Sequence, residues 1–263
     1  MNSLAYYFNL YRGFISVSFA ESIGFRTSFV LLILMDLFFY SSTLLTVSFI
    51  YDHVETIGPW GKNELMFFIA FMLALDHLHM TFLSESFWYL SRHIRLGDLD
   101  YILLRPANSL FSVFFRYIRP STMCNTPIVW GFLIYFGVQA ELSILQWALV
   151  PPLLLMAFAL LAILEFIIAT AMFWMTEGLG INFLRMQLQS LGRWPDFIYH
   201  SLSRKFFLVF MPILLVGSAP IRFLYDYSEW TYMLGMLCAI IVFWKILNFI
   251  WQKALNQYES ASS

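Results

Sequence analysis

Six ionisable side chains stand inside long apolar stretches of this chain: Asp36, Asp76, His77, His79, Glu165 and Lys245. A charge within a bilayer costs about 3 kcal/mol or more unless paired or hydrated, so each is a functional candidate by default. Metal or haem ligation is the first chemistry they suggest. Spacing argues against it for the histidines, because His77 and His79 point about 200° apart on a helix and cannot converge on one ion. Asp76 and His79 share a face, but two ligands are too few for a closed site. The simpler role for them is hydrogen bonding to neighbouring helices or lining a polar cavity. Asp36, Glu165 and Lys245 fall at similar depths in the inner halves of their stretches. Lys245 is expected to pair with Glu165 or Asp36, or else to extend its ammonium to the nearer interface. No catalytic constellation accompanies these groups. Ser84-Glu85-Ser86 has no histidine in the same segment, and neither a G-x-S-x-G elbow nor an H-E-x-x-H pair occurs. No cofactor is implied. An intramembrane enzyme, or a haem- or metal-handling protein using Asp76 and His79, is the alternative to a transport role.

The elements that must position these residues follow from composition. Of 263 residues, 60% are hydrophobic and 12% charged, with mean hydropathy +0.73. Soluble domains run at about 45–50% and about 25%. That excludes a soluble enzyme, a disordered tail and a nucleic-acid-binding module, because so few charges cannot clothe a water-facing surface. The net charge of −1 implies no polyanionic partner. Cys124 and Cys238 sit in apolar stretches and form no disulfide framework. The reading is an all-α membrane protein forming one domain over residues 1–263. A span needs about 20 apolar residues, and six stretches qualify, at about 27–51, 65–84, 120–138, 150–174, 205–221 and 231–251. The fifth is short, and Pro212 and Pro220 predict a kinked or partly re-entrant helix there.

Residues 1–26 read as an uncleaved amphipathic segment, since the apolar run after Arg26 is too long for a signal peptide. Leu4, Tyr7, Phe8, Tyr11 and Ile15 share one face, with Ser18 interrupting it. Such a helix either lies in the membrane interface or packs on the cytoplasmic side of the bundle. One side of the proposed topology collects Arg12, Arg26, Arg92, Arg95, Arg105, Arg116, Arg119, Arg185, Arg193, Arg204, Lys205 and Lys253; the other has only Lys62 and Arg222. The positive-inside rule makes the first side cytoplasmic, with both termini on it. The inside loops, 85–119 and 175–204, are long; the outside loops, 52–64, 139–149 and 222–230, are short. The tail 259–263 is an ordinary polar end.

The segment Arg92–Pro106 is the most informative. Read as one helix, it stacks Leu96, Leu99 and Leu103 on a face and turns His93, Asp98, Asp100 and Tyr101 away from it. Pro106 ends it. A short amphipathic helix of this kind can rest on the membrane, pack on its own bundle or dock in a partner's groove. Gly97-Asp98-Leu99-Asp100 followed by Leu103-Leu104-Arg105-Pro106 resembles the loop after the second span of bacterial ABC type-2 exporter permeases. Arg193-Trp194-Pro195-Asp196-Phe197-Ile198-Tyr199, then Arg204, Pro212, Pro220 and Leu224, resembles that family's entry into its fifth span. One departure is the short 222–230 loop, where several relatives carry extra re-entrant helices.

The resemblance implies the membrane half of an ATP-driven exporter in the bacterial cytoplasmic (inner) membrane. Two permease chains, alike or different, would pair over two ATP-binding subunits. Arg92, Arg95, Leu96, Gly97, Asp98, Leu99, Asp100, Leu103, Arg105 and Pro106 would form the coupling helix seated in the ATPase cleft, with 180–192 near it. The chain has no G-x-x-x-x-G-K-[ST] phosphate loop, so ATP hydrolysis would belong to the partner. Membrane lipids are the remaining partners expected, with no nucleic acid. The cargo is expected to be amphiphilic.

Overall fold

A computed structural model describes residues 4–175 and 178–258; the polar tail 259–263 lies outside them. The described chain is helical, with one isolated bridge between Ile57 and Trp60. Helix α1 covers Leu4–Gly24 and α2 covers Arg26–Tyr51. α3 (Lys62–Phe82) and α4 (Ser84–Leu96) are nearly continuous, and the short α5 (Asp98–Leu103) and α6 (Ser109–Phe114) follow. α7 (Pro120–Met123) and α8 (Thr126–Gln139) make an interrupted pair before α9 (Ile144–Thr170). The rest are α10 (Leu179–Gly192), α11 (Ser201–Val209), α12 (Leu215–Tyr225) and α13 (Trp230–Gln257).

α3 is the hub. Its residues 65–75 are apolar all round, as a helix enclosed on every side must be, and 83% of the apolar window of the α3–α4 rod is buried, against 17% in α13 and 22% in α2. α2, α7, α8, α9 and α12 pack on it. α2 and α13 instead turn Leu31, Leu34, Phe38, Phe49, Ile241 and Phe249 outward. Long apolar rods with apolar exteriors belong in lipid or against another membrane chain. Among the described residues four helices are long and apolar enough to cross a bilayer, the α3–α4 rod counted as one.

The bundle has two ends. The first gathers α1, α4, α5, α6 and the end of α13, where the Trp174 indole donates to Gln257 (2.5 Å) and the Trp251 indole to Ser109 (2.9 Å). The second gathers the 52–61 loop and the α8–α9 turn. There the Asn63 amide donates to the Gln139 carbonyl (2.9 Å), the Gln146 amide to the Leu224 carbonyl (2.7 Å) and the Tyr225 hydroxyl to the Glu64 carbonyl (3.0 Å). Ser143 caps α9 there, its hydroxyl accepting from the Gln146 N–H. Pro151 and Pro152 lie inside α9, beyond the predicted start at 150.

Three sequence expectations change. The predicted fifth span, 205–221, is a hairpin rather than a rod. α11 stops at Val209 because Pro212 lacks an N–H and its ring would clash with the preceding turn. The chain reverses, with the Leu214 N–H donating to the Phe207 carbonyl (3.2 Å), and α12 returns. Arg204 and Arg222 consequently meet on one carboxylate, that of Asp196. The predicted inside loop 175–204 is instead α10, which runs from the first end to the second. Gly178 donates to Ser91 at the start (3.1 Å), and the Phe197 ring lies on Trp60 at the far end, 4.9 Å between centroids. Gly58, at φ +64, passes so close to Phe197 that a Cβ would sit 2.5 Å from the ring, so only glycine fits this left-handed turn. Finally, the 120–138 stretch is broken at Cys124–Asn125, and the Asn125 amide donates to the Ile33 carbonyl of α2 (3.1 Å).

α1 settles on its own chain by a face only partly foreseen. Tyr7, Tyr11 and Phe14 surround Phe111 of α6. Ser18, which interrupted the apolar pattern, accepts from the Ile118 N–H (3.3 Å). Leu4, Phe8 and Val17 remain exposed.

Candidate functional site

The intramembrane polar residues of α3 and α9 converge on α10. Glu165 and His79 are both buried, and His79 Nε2 lies 2.5 Å from Glu165 Oε2. Arg185 of α10, 1% exposed, donates from Nη1 to Glu165 Oε1 at 3.0 Å. Its guanidinium lies 4.1 Å from the Phe87 ring centroid, which adds a cation–π attraction in a buried setting. One turn further along α10, the Gln189 amide donates to Asp76 Oδ1 (3.0 Å) and reaches His79 Nδ1 (3.3 Å). With Nδ1 accepting, the ring proton is assigned to Nε2, facing Glu165. Arg193 Nε lies 2.7 Å from Asp76 Oδ2. Two carboxylates, two guanidiniums, one imidazole and one amide therefore form a charge-balanced chain across three helices. Balanced pairing is what makes buried charge tolerable.

Asp76, His79 and Glu165 are thus brought together as neighbours. His77 points elsewhere, to the Thr126 hydroxyl (3.0 Å). Among the described residues no three metal-ligating side chains are placed so that they could hold one ion, and the carboxylates of Asp76 and Glu165 are held by arginine. Asp36 belongs to a second cluster with Arg119 (3.3 Å) and the Thr122 hydroxyl (2.9 Å). Lys245 joins neither, so the pairing expected with Glu165 or Asp36 is corrected and the other expectation, an ammonium extended to the interface, is the one left. It is exposed on α13, with no ion-pair partner among the described residues, because Glu165 and Asp36 are held by Arg185 and Arg119. Reading α10 as a water-facing loop concealed Arg185, Gln189 and Arg193. The signal was present: Asn182, Arg185, Gln189 and Gly192 recur at helical spacing among Leu179, Phe183, Leu184, Met186 and Leu191.

At the second end Asp196, fully buried, is held by two arginines. Arg222 approaches with Nε (2.8 Å to Oδ1) and Nη2 (3.3 Å to Oδ2), and Arg204 with Nη2 (2.5 Å to Oδ2). Arg204 also donates to the Tyr232 hydroxyl of α13 (2.9 Å), and the Asp196 N–H donates to Ser218 (3.0 Å). One carboxylate ties α10, both arms of the hairpin and α13. Asp196→Asn removes the charge both guanidiniums share, and it is expected to destabilise the protein by about 3 kcal/mol. Thermal unfolding of the detergent-solubilised chain checks this; an unchanged midpoint would show that the arginines are satisfied by water.

At the first end the Arg92–Pro106 segment is not one helix. Gly97 takes a left-handed conformation (φ 75), ends α4 and starts α5 in a new direction. The predicted stripe is broken by that corner. Leu99 is buried as expected, but its companion is Ile102; Leu103 is half-buried and Leu96 is exposed. Tyr101 and Leu104 are also exposed, at 74% and 80%. His93 lies 3.6 Å from Asp98 and bonds the Tyr117 hydroxyl (2.8 Å). The Tyr258 hydroxyl faces Asp100, and burial, then Asp100 and Asp98, push its pKa up to about 12. Arg92, Arg95, Asp98, Asp100 and Arg105 stand at least partly exposed in the same segment. α10 starts beside α4, where Asn182 donates to the Phe87 carbonyl (3.2 Å), and then leaves this end.

Beside this corner a cavity of about 880 Å³ opens between the α1–α2 elbow and the α4–α5 limb. Ser18, Glu21, Phe25, Phe29 and Leu32 form one wall; Glu85, Arg92, Asp98, Tyr101, Arg105, Arg116 and Arg119 belong to the other.

The family profile described as ABC-2 family transporter protein matches residues 37–262. No curated protein and no solved structure matches the chain.

Proposed function

The chain belongs to the ABC-2 family of transporter proteins, and from that premise we propose that it is the permease of an ATP-driven exporter whose nucleotide chemistry resides on a separate subunit. The observation that carries this reading is the Gly97 corner. It presents Leu96, Tyr101 and Leu104 outward from the bundle, with charged groups in the same segment. Apolar anchors with a polar rim are the anatomy of a docking helix. The coupling residues are thus Arg92, Arg95, Leu96, Gly97, Asp98, Asp100, Arg105 and Pro106, with Leu99 and Leu103 turned inward to hold the helix to the bundle.

Six crossings fit the element order: α2, the α3–α4 rod, α7–α8, α9, α10 and α13. The α11–α12 hairpin enters from the second end and returns to it, which supplies the re-entrant element otherwise wanting near 222–230. An even number of crossings puts both termini on one side. Arg12, Arg26, Arg92, Arg95, Arg105, Arg116, Arg119 and Lys253 collect at the first end; Lys62, Arg204, Lys205 and Arg222 collect at the second. Moving α10 into the bundle weakens the charge bias without reversing it, so the first end is cytoplasmic. The setting is the bacterial inner membrane, and a second permease chain and lipids cover the apolar faces of α2 and α13. The cargo is amphiphilic, crossing between a polar network at mid-depth and apolar helix faces. Purification in mild detergent from native membranes tests the class. A P-loop ATPase in equal proportion to the permease is the expected companion; cargo movement by the isolated chain without ATP hydrolysis would refute the reading.

A further inference from the structure

The cavity at the first end has a chemical character that the permease reading leaves unused. Of its arginines, Arg119 is committed to Asp36 at 3.3 Å and approaches Glu85 at 4.0 Å. Arg92, Arg105 and Arg116 have no carboxylate within ion-pair distance among the described residues. Arg116 lies against the Tyr117 ring (5.3 Å) and Arg105 against the Phe14 ring (5.9 Å). Ring contacts orient a guanidinium while leaving its N–H groups free to donate. Asp98 is directed to His93 and Glu85 to Arg119, which leaves Glu21 as the acidic group of the lining with no ion pair among the described residues. The other wall is the elbow and α2, where Phe25 of the elbow and Phe29 and Leu32 of α2 lead into an apolar helix that continues across the bundle. Positive groups thus sit at the mouth and an apolar track leads inward. Guanidinium forks match phosphate oxygens in geometry as well as charge, and about 300–1,000 Å³ is the usual size of a small-molecule site.

We propose that this cavity binds a phosphate-bearing amphiphile, with Arg92, Arg105 and Arg116 holding its head and Phe25 of the elbow and Phe29 and Leu32 of α2 receiving its chain. The site deepens the permease reading by naming the class of cargo, and it rests on that reading in taking the first end as a membrane–water boundary. It also adjoins the Gly97 corner: Arg92, Asp98, Tyr101 and Arg105 belong both to the cavity wall and to the coupling segment.

Fluorescent phosphatidylglycerol, titrated onto the purified full-length chain in neutral detergent, tests the proposal without any ATPase. Saturable binding is expected, at least tenfold tighter than that of phosphatidylcholine with the same chains. The triple variant Arg92→Gln, Arg105→Gln, Arg116→Gln should lose at least tenfold in affinity. Arg12→Gln, on the exposed side of α1, should lose none. Ser28→Trp fills the cavity with the arginines intact, and should also abolish binding, which guards against a triple variant that misfolds. Inorganic phosphate alone should compete only weakly; competition equal to that of the lipid would overturn the apolar half of the site. Equal binding of phosphatidylcholine, or undiminished binding by both the triple and the Ser28→Trp variants, would overturn the whole. Absence of an ATPase companion would sink the permease reading but leave this measurement standing, so the two failures can be told apart.

Discussion

Arg185→Met is expected to be among the most damaging single substitutions in this protein, lowering stability by about 3–5 kcal/mol, because it strands the Glu165 carboxylate in a buried site. Met keeps the unbranched apolar stem but lacks both the charge and the guanidinium that lies on the Phe87 ring. His79 lies on the other oxygen of Glu165 and already meets Gln189, so it brings no new partner to the oxygen that Arg185 leaves. Glu165→Gln alone leaves the Arg185 guanidinium buried and unpaired and should cost a similar amount. The pair of substitutions together removes both charges and should recover much of the loss, since a neutral pair of similar volume is tolerated where half an ion pair is not. Monodisperse yield and thermal midpoint of the single and double variants in detergent check this. Additive losses in the double variant would mean that the two residues do not act as a pair.

Leu104→Glu is expected to abolish co-purification of the ATPase, at least a tenfold drop in recovered partner, with the thermal midpoint of the permease within a degree or two of the parent. Leu104 is 80% exposed, so its replacement removes little from the bundle; surface substitutions of this kind usually stay within about 0.5 kcal/mol. In a docking groove the same change buries an unpaired charge, which is far more costly. Charge reversal at Asp98 or Asp100 should weaken the partner less, because rim charges contribute less than central apolar anchors. Retention of the ATPase by the Leu104→Glu variant would shift the docking site away from the Gly97 corner. Sensitivity of transport at Asp76 and His79 with none at the corner would favour the intramembrane-enzyme alternative.

Much of the architecture was legible because a bilayer imposes simple demands. Four long rods follow from length and hydropathy alone: α2, the α3–α4 rod, α9 and α13. Pro212 announced a break. The corner at Gly97 was visible as a glycine within a periodic run, yet the run was read through it as one helix. Periodicity has no term for a left-handed residue that re-aims the chain, so Leu96, expected on the packed face, is exposed, and Ile102 is buried beside Leu99.

What composition and spacing determined by themselves was the solvent, the helical class and the unusual standing of Asp76, His79 and Glu165. What only the tertiary structure decided was where α10 goes. Its Arg185, Gln189 and Arg193 read as water-facing because hydropathy scores each residue against lipid in isolation. A guanidinium enters the bundle only when carboxylates from other helices await it, and which carboxylates lie opposite is a property of packing between segments distant in sequence. The same holds for Asp196, whose two arginines stand on opposite arms of a hairpin: the pairing exists only after the chain has turned back on itself.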